Sequence, residues 1–157
     1  MTTRVNSLEL KIPPPAVAAV FAIVMWGISR VATSIQISAP IRTAVAIAIA
    51  LVGMGFALTA ILSFRRASTT VNPTKPQATS SLVISGVYRV TRNPMYLGLL
   101  FVLVAWAVAL SSPWALLGPA AFVLYIRRFQ IVPEERTLAA LFGSEYTAYR
   151  SRVRRWL

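Results

Sequence analysis

Four long apolar segments constrain the fold of this chain more than any other feature of its sequence. They run from about Pro13 to Ile28, Ile41 to Phe64, Pro94 to Leu110 and Trp114 to Ile126. A transmembrane helix needs about 20 predominantly apolar residues to cross roughly 30 Å of hydrocarbon. The second segment meets this length, and the last two are near the lower limit. The sequence therefore predicts an all-α integral membrane helical bundle with about four transmembrane helices.

A short turn, Ser111-Ser112-Pro113, separates the third and fourth segments. Proline disfavours helix at the residue before it and begins a helix well, so this turn predicts a tight helical hairpin. We interpret the chain as one domain, residues 1–157. Its predicted parts are two transmembrane helices in 1–64, a cytoplasmic linker in 65–93, the hairpin in 94–126 and a cytoplasmic tail in 127–157.

The basic residues are distributed very unevenly about the predicted spans. Of the 16 Lys and Arg residues, only Arg30 and Arg42 fall on one side. The positive-inside rule makes the other side cytoplasmic, so a multi-pass protein with both termini cytoplasmic is predicted. In a soluble protein a net charge of +12 would suggest nucleic acid. Here the charges lie between apolar segments, so we expect anionic membrane lipids as partners and no nucleic acid.

Two residue types that often carry chemistry are missing, because the chain has no cysteine and no histidine. Disulfides, thiolate catalysis and cysteine-ligated metals are therefore excluded. The usual general base and the commonest metal ligand are also missing, and no metal site is predicted. Any chemistry must use Arg, Tyr, Asn, Gln and the 4 acidic residues.

A polar block precedes the third apolar segment, with the sequence GVYRVTRNPMYLG at residues 86–98. Asn93 is a good N-cap and Pro94 is favoured in the first helical turn, so a helix N-terminus is predicted here. With Arg89 and Arg92 just before it, this terminus suits a carboxylate or a phosphate. The ordinary alternative is an arginine collar and an aromatic belt, which most membrane helices have.

A second block, VPEE at residues 132–135, begins the tail. Proline followed by acids favours a helix start electrostatically, and this is the ordinary interpretation of Glu134 and Glu135. The functional alternative is a carboxylate that binds a cation or hydroxyl groups. Arg127 and Arg128 end the fourth segment. Arginines at this position commonly extend their charged groups to the membrane interface, and this is the ordinary interpretation. The functional alternative is that they bind an anionic substrate.

Together, SGVYRVTRNPMYLG and PEERTLAALFGSEYTAYRSRV resemble the isoprenylcysteine carboxyl methyltransferase and phospholipid methyltransferase superfamily of integral membrane enzymes. The resemblance covers roughly residues 69–153. It implies S-adenosylmethionine as methyl donor, in a cytoplasmic pocket formed by the linker, the start of the third helix and the tail. The cofactor-binding residues that it implies are Ser80, Ser81, Leu82, Val83, Tyr88, Asn93, Pro94, Met95, Tyr96 and Glu134. Arg92 joins this set because an arginine suits the carboxylate of the donor.

The resemblance also implies a lipophilic methyl acceptor reached from the bilayer. Carboxyl O-methylation of an isoprenylcysteine-like substrate is the first candidate. Phospholipid or small-amine N-methylation, thiol methylation and a non-catalytic membrane scaffold are the alternatives. The catalytic candidates are Arg128 and Gln130, which would hold the acceptor head, and Glu135, which, as an alternative to a tyrosine, would accept a proton from an amine.

Two positions depart from the pattern of the superfamily. Asn93 stands where histidine is common, which excludes a titrating role there. Gln130 stands where the eukaryotic isoprenylcysteine enzymes have a substrate-binding arginine, four residues before the cofactor glutamate. The sequence therefore predicts where the donor binds better than which acceptor receives the methyl group.

Overall fold

The computed structural model describes residues 9–67 and 79–157, and all regular structure in these ranges is helical. The predicted all-α class is confirmed. Residues 1–8 and the part of the predicted linker at 68–78 lie outside the described residues.

Five α-helices form the described chain. They are α1 (Pro14–Val31), α2 (Ala39–Arg66), α3 (Pro94–Leu110), α4 (Leu117–Ile126) and α5 (Val132–Arg152). Short 3-10 turns at Gly86–Arg89 and Pro113–Leu116 precede α3 and α4. Proline occupies one of the first two positions of α1, α2 and α3, where its missing N–H has no helical partner to lose. Helix α3 ends at Leu110 and is capped by Ser111, which has a left-handed φ of 52°.

In the part of the chain that the structure describes, three helices are long and apolar enough to cross a membrane: α1, α2 and the continuous helix Pro113–Arg152. Helix α3 is apolar but has 17 residues, about 25 Å of helix. The four predicted apolar segments thus correspond to α1, α2, α3 and the first part of the long helix. That helix is apolar up to Ile126, and charged residues follow from Arg127 on. Its second half therefore lies outside the apolar span.

The helix start predicted at Pro133 coincides with the first turn of α5, but it is not a free helix end. A π-helical turn, Arg127–Ile131, joins α4 to α5 without a break. Proline cannot donate to the carbonyl four residues earlier, which is that of Phe129. The backbone N–H of Leu10 donates to this carbonyl instead, at 3.1 Å. The N-terminal segment thus compensates for the proline inside the long helix.

Helix α3 packs against α1, α2 and α4, with its closest approach to α2 at a pair of glycines. A Cβ added to Gly53 would lie 2.7 Å from the carbonyl oxygen of Gly98 and 2.8 Å from Cβ of Phe101. Small residues let membrane helices approach this closely and pack their backbones. The stacked rings of Phe56 and Phe101, 5.8 Å apart, continue the same interface.

We expect Gly53→Ala to destabilise the bundle by about 1–3 kcal/mol, because the added methyl group meets backbone that cannot move aside. Gly55→Ala is the matched control, since a Cβ there meets no atom of the described residues within 4 Å. Both changes raise helix propensity equally. Thermal unfolding in detergent, followed by circular dichroism, measures the difference. Equal midpoints for the two variants would contradict the close α2–α3 contact.

Candidate functional site

A narrow cleft opens where the end of α2, the segment before α3 and the start of α5 meet. It holds about 670 Å³ of space between atoms, including its open mouth. The α2 wall is Phe64, and the α5 wall includes the stripe Glu134, Glu135 and Leu138. The complete lining is Phe64, Thr79, Leu82, Val83, Tyr88, Arg92, Asn93, Met95, Tyr96, Ile131, Glu134, Glu135, Leu138, Tyr146 and Tyr149.

The C-terminal residues hold the start of α3 in this cleft. Asn93 occupies the N-cap position as predicted, but its side chain makes no capping hydrogen bond. Its Nδ2 instead donates to the carbonyl of Arg155 at 2.9 Å, and Thr91 Oγ1 donates to the same oxygen at 3.2 Å. The backbone N–H of Arg92 donates to the carbonyl of Arg154 at 3.0 Å. The tail and the loop before α3 are thereby tied together.

Glu134 places a carboxylate on the wall of the cleft. The hydroxyl of Tyr96 donates to its Oε2 at 2.9 Å. Burial raises the pKa of Glu134 to about 7; the hydrogen bond from Tyr96 opposes this rise and the charge of Glu135 adds to it. A carboxylate with a raised pKa gains from a cationic partner, so this wall suits a ligand ammonium group.

Glu135 is the centre of an ion-pair cluster beside Glu134. Arg155 contacts it through two hydrogen bonds, Nη2 to Oε2 at 2.6 Å and Nε to Oε1 at 3.1 Å. Arg92 approaches Oε1 through Nη2 at 3.2 Å. These contacts link the loop, α5 and the tail, so the carboxylate of Glu135 is engaged in holding the cleft together.

Arg92 has hydrogen-bonding capacity to spare in this cluster. Its side chain is only 10% exposed, and it lines the cleft. Its Nε and Nη1 are buried and have no partner among the described residues. A buried donor without an acceptor costs free energy, and an N–H of a guanidinium donates a strong, charge-assisted hydrogen bond to a carboxylate oxygen. The lining of the cleft therefore combines a guanidinium whose Nε and Nη1 have no partner among the described residues with the carboxylate of Glu134.

Aromatic residues form the remaining walls. Tyr88 stands edge-on to Phe64, with ring centroids 5.5 Å apart, and the hydroxyl of Tyr149 donates to the carbonyl of Tyr88 at 2.7 Å. Tyr146 and Tyr149 share one face of α5, as their spacing predicts, with centroids 6.4 Å apart. Burial, with the charge of Glu134, raises the pKa of Tyr88 far above its ordinary value, so this tyrosine stays neutral.

The structure brings together most of the residues that the sequence assigned to the cofactor. Those that line the cleft are Leu82, Val83, Tyr88, Arg92, Asn93, Met95, Tyr96 and Glu134. Three others border it without lining it. Ser80 is exposed, Ser81 donates through Oγ to the carbonyl of Ala67 at 3.3 Å, and Pro94 is buried in the first turn of α3.

Of the residues assigned to the acceptor or to proton transfer, only Glu135 lines the cleft. Arg128 pairs with Glu9, Nη1 to Oε1, at 3.0 Å. Gln130 is fully buried and donates from Nε2 to the carbonyl of Ile12 at 2.7 Å. Both residues thus contact the N-terminal segment.

Several residues of the cleft were not assigned from the sequence. They are Phe64, Thr79, Ile131, Leu138, Tyr146 and Tyr149 in the lining, and Arg155 behind it. The spacing of Ile131, Glu134 and Leu138 is a helical stripe, and this signal could have found two of them. Phe64 and Arg155 carry no local signal, because chain folding alone brings them to the cleft.

The described residues contain no group of three or more acidic or other metal-ligating side chains that could hold a metal ion. The bundle and the cleft define a helical membrane protein with a pocket lined by a carboxylate, Glu134, and a guanidinium, Arg92. The phospholipid methyltransferase family model matches residues 41–145, and the chain belongs to this family. The resemblance to this superfamily is thereby confirmed.

Relatives of known sequence agree with this assignment. The chain is 34% identical over 98 residues to protein-S-isoprenylcysteine O-methyltransferase B of Arabidopsis thaliana, covering 60% of this chain and 48% of that protein. It is 40% identical over 67 residues to a methanethiol S-methyltransferase of Bradyrhizobium diazoefficiens, covering 43% of this chain and 22% of that protein. The chain thus spans half or less of these two relatives.

A shorter relative is matched over its whole length. This protein of Haemophilus influenzae is 49% identical over 63 residues, which are 40% of this chain and 100% of the relative. No solved structure gives a significant match to the chain.

Proposed function

We propose that the chain is an integral membrane methyltransferase that transfers a methyl group from S-adenosylmethionine to a lipophilic acceptor. One observation carries this proposal: the cleft is lined by the carboxylate of Glu134 and by the guanidinium of Arg92, whose Nε and Nη1 have no partner among the described residues. These are complementary to the ammonium and carboxylate of the amino-acid part of the donor. The family and its named methyltransferase relatives support the same function.

The residues of the cleft fit this cofactor by their chemistry. Arg92 would bind its carboxylate, and Glu134 its amino group or ribose hydroxyls. The apolar side chains of Leu82, Val83 and Leu138 would take its adenine ring. S-adenosylmethionine supplies a methyl group already activated on a sulfonium, so the protein has mainly to align the acceptor and exclude water.

For the acceptor, we propose a carboxylate of an isoprenylcysteine-like molecule, as in the plant relative. A carboxylate needs no general base at the moment of attack, which suits a chain without histidine. Glu135 is engaged by two arginines, so its carboxylate is poorly placed to deprotonate an amine acceptor. Because Arg128 and Gln130 lie outside the lining of the cleft, we propose no contact between them and the reacting atoms.

Thiol methylation is the second candidate, favoured by the methanethiol-methylating relative. A thiolate, like a carboxylate, attacks without a base. Incubating the purified protein with labelled S-adenosylmethionine and either farnesylcysteine or an alkanethiol separates the two candidates. A methyl ester supports the first, and a thioether supports the second. Phospholipid or small-amine N-methylation would produce a labelled amine from native lipid extracts.

We propose that both termini and the cleft are cytoplasmic. Two contacts support a common side for the termini, since Leu10 contacts Phe129 and Arg154 contacts Arg92, at the same end of the bundle. The assignment of this side to the cytoplasm depends on the asymmetry of the basic residues.

The proposal predicts that detergent-purified protein binds S-adenosylhomocysteine, the product form of the donor, with micromolar affinity. Isothermal titration measures it, and adenosine alone should bind more weakly because it lacks both charged groups. Absence of binding at high micromolar ligand would reject the methyltransferase and favour a non-catalytic membrane scaffold. That scaffold has no need for an arginine whose buried Nε and Nη1 lack partners among the described residues, in the same cleft as the carboxylate of Glu134.

A further inference from the structure

We propose that Arg128 and Arg136 form a second binding site, for the phosphate of an anionic phospholipid, and that Glu9 fills this site as an internal competitor. In the structure the two oxygens of the Glu9 carboxylate are divided between the arginines. Oε1 contacts Nη1 of Arg128 at 3.0 Å, and Oε2 contacts Nη2 of Arg136. Two guanidinium groups around one carboxylate are the arrangement that also holds a phosphate.

The exposed fractions of the three side chains show that the two arginines lie outside the carboxylate. Glu9 is only 4% exposed, whereas Arg128 is 52% and Arg136 is 43% exposed. The carboxylate thus lies beneath two cations that still face outward. An approaching anion meets the arginines first and can take over their donors without unfolding a helix.

The segment that carries Glu9 is held by replaceable contacts. We call residues 9–12 the N-terminal strap. Its other hydrogen bonds run from the N–H of Leu10 to the carbonyl of Phe129 and from Nε2 of Gln130 to the carbonyl of Ile12. Leu10 has a left-handed φ of 59°, a conformation that is strained for a residue with a Cβ. Release of the strap would relieve this strain.

The surroundings favour a lipid over a free anion. Arg128 follows the apolar span directly, at the level where lipid phosphates lie. Leu124, one turn earlier on the same helix face, is 67% exposed and offers apolar contact for an acyl chain. The net charge of +12 adds long-range attraction to an anionic membrane. The site is also close to the cleft, because Ile131 of the same π-helical turn lines it.

The absence of cysteine allows a clean test of the strap. Lys11 is exposed, so Lys11→Cys carries a single spin label for electron paramagnetic resonance. In phosphatidylcholine nanodiscs we expect slower motion of the label, and in discs that also contain phosphatidylglycerol a severalfold faster motion. Inorganic phosphate added to phosphatidylcholine discs distinguishes a free anion from a lipid headgroup, and we expect no response to it. Equal mobility of the label in both kinds of disc would overturn the proposal.

Native mass spectrometry of lipid bound from an equimolar mixture provides the second measurement. The double variant with Arg128→Gln and Arg136→Gln should bind severalfold less phosphatidylglycerol than the wild type. The control is the double variant of an exposed pair, Arg65→Gln and Arg66→Gln, which removes the same charge and should bind as much as the wild type. Glu9→Gln keeps both arginines and should bind more phosphatidylglycerol than the wild type. Equal loss in the two arginine pairs would mean general surface charge and would contradict a built site. Unchanged binding by Glu9→Gln would reject the competition.

Discussion

Glu134→Gln is expected to weaken the binding of S-adenosylhomocysteine by at least about 30-fold. Removing one charge of a desolvated pair costs about 2 kcal/mol or more, which corresponds to this factor. Glutamine keeps the shape of the side chain and still accepts the hydrogen bond from Tyr96, so the change removes the charge and little else. Glu134→Ala, which also removes the acceptor, should leave no measurable binding by isothermal titration.

Glu145→Gln is the matched control for this prediction. Glu145 lies on the same helix but is exposed, beyond the kink at Gly143 where φ is 49°. Removing the charge of Glu145 changes the net charge by the same amount and should leave the affinity for S-adenosylhomocysteine unchanged. If Glu134→Gln also binds with wild-type affinity, its assigned role is wrong.

The same residue predicts how donor binding depends on pH. Burial raises the pKa of Glu134 to about 7 in the protein without ligand. The hydrogen bond from Tyr96 lowers this pKa, and the charge of Glu135 raises it further. Only the carboxylate attracts an ammonium group, so wild-type affinity should rise between about pH 6 and pH 7.5. The affinity of the Glu134→Gln variant should not change over this pH range. If the affinities of the wild type and the variant change with pH in parallel, the pH dependence does not come from Glu134.

The stability of the protein without ligand should depend on pH in the opposite direction from its affinity for the donor. A folded pKa near 7 exceeds the ordinary value of 4.5, so the folded protein binds more protons than the unfolded chain. The resulting stabilisation is fully present below about pH 4.5 and is lost as the pH rises through about 7. Ligand binding should reverse part of this loss.

Arg92→Met is the second change with a large expected effect. It removes the two buried nitrogens that have no partner among the described residues. We expect the affinity for S-adenosylhomocysteine to fall about 30-fold, the equivalent of about 2 kcal/mol for a charge-assisted hydrogen-bonded pair. Glu135 keeps its two hydrogen bonds to Arg155, so the tail should remain attached to α5.

The ligand itself can be truncated to separate binding from folding. A decarboxylated analogue of S-adenosylhomocysteine keeps the amino group but cannot use Arg92. Its affinity should be nearly the same for wild type and Arg92→Met, while Glu134→Gln should still weaken it. Arg89→Met is the control, because Arg89 is exposed and outside the cleft. Equal losses for both ligands on Arg92→Met would indicate a folding defect and contradict a direct contact.

The helices and the two sequence blocks were predictable because they depend on local properties. Long apolar runs determine the helices, and proline positions determine where α3 and the hairpin begin. The residues around Asn93 lie within one helical turn of each other, so their joint presence at the cleft needs no long-range folding. Glu134 shares the cleft with them because α5 returns to the start of α3.

The partners of the charged side chains were not predictable in this way. Arg128 and Gln130 were assigned to the acceptor, and they contact the N-terminal strap, more than 100 residues away in sequence. Glu135 was assigned to proton transfer, and it is held by Arg92 and Arg155. In each case a distant residue supplies the counter-charge or the carbonyl, and no pattern in the sequence identifies it.

The sequence by itself determined the all-α membrane bundle, the family and the two blocks that meet at the cleft. Those properties follow from hydrophobic length, proline placement and short-range motifs. Only the tertiary structure decided that Nε and Nη1 of Arg92 have no partner among the described residues, while Arg128 is occupied by Glu9. The physical reason is that the role of a charged side chain depends on its nearest opposite charge and on its burial. Long-range packing determines both.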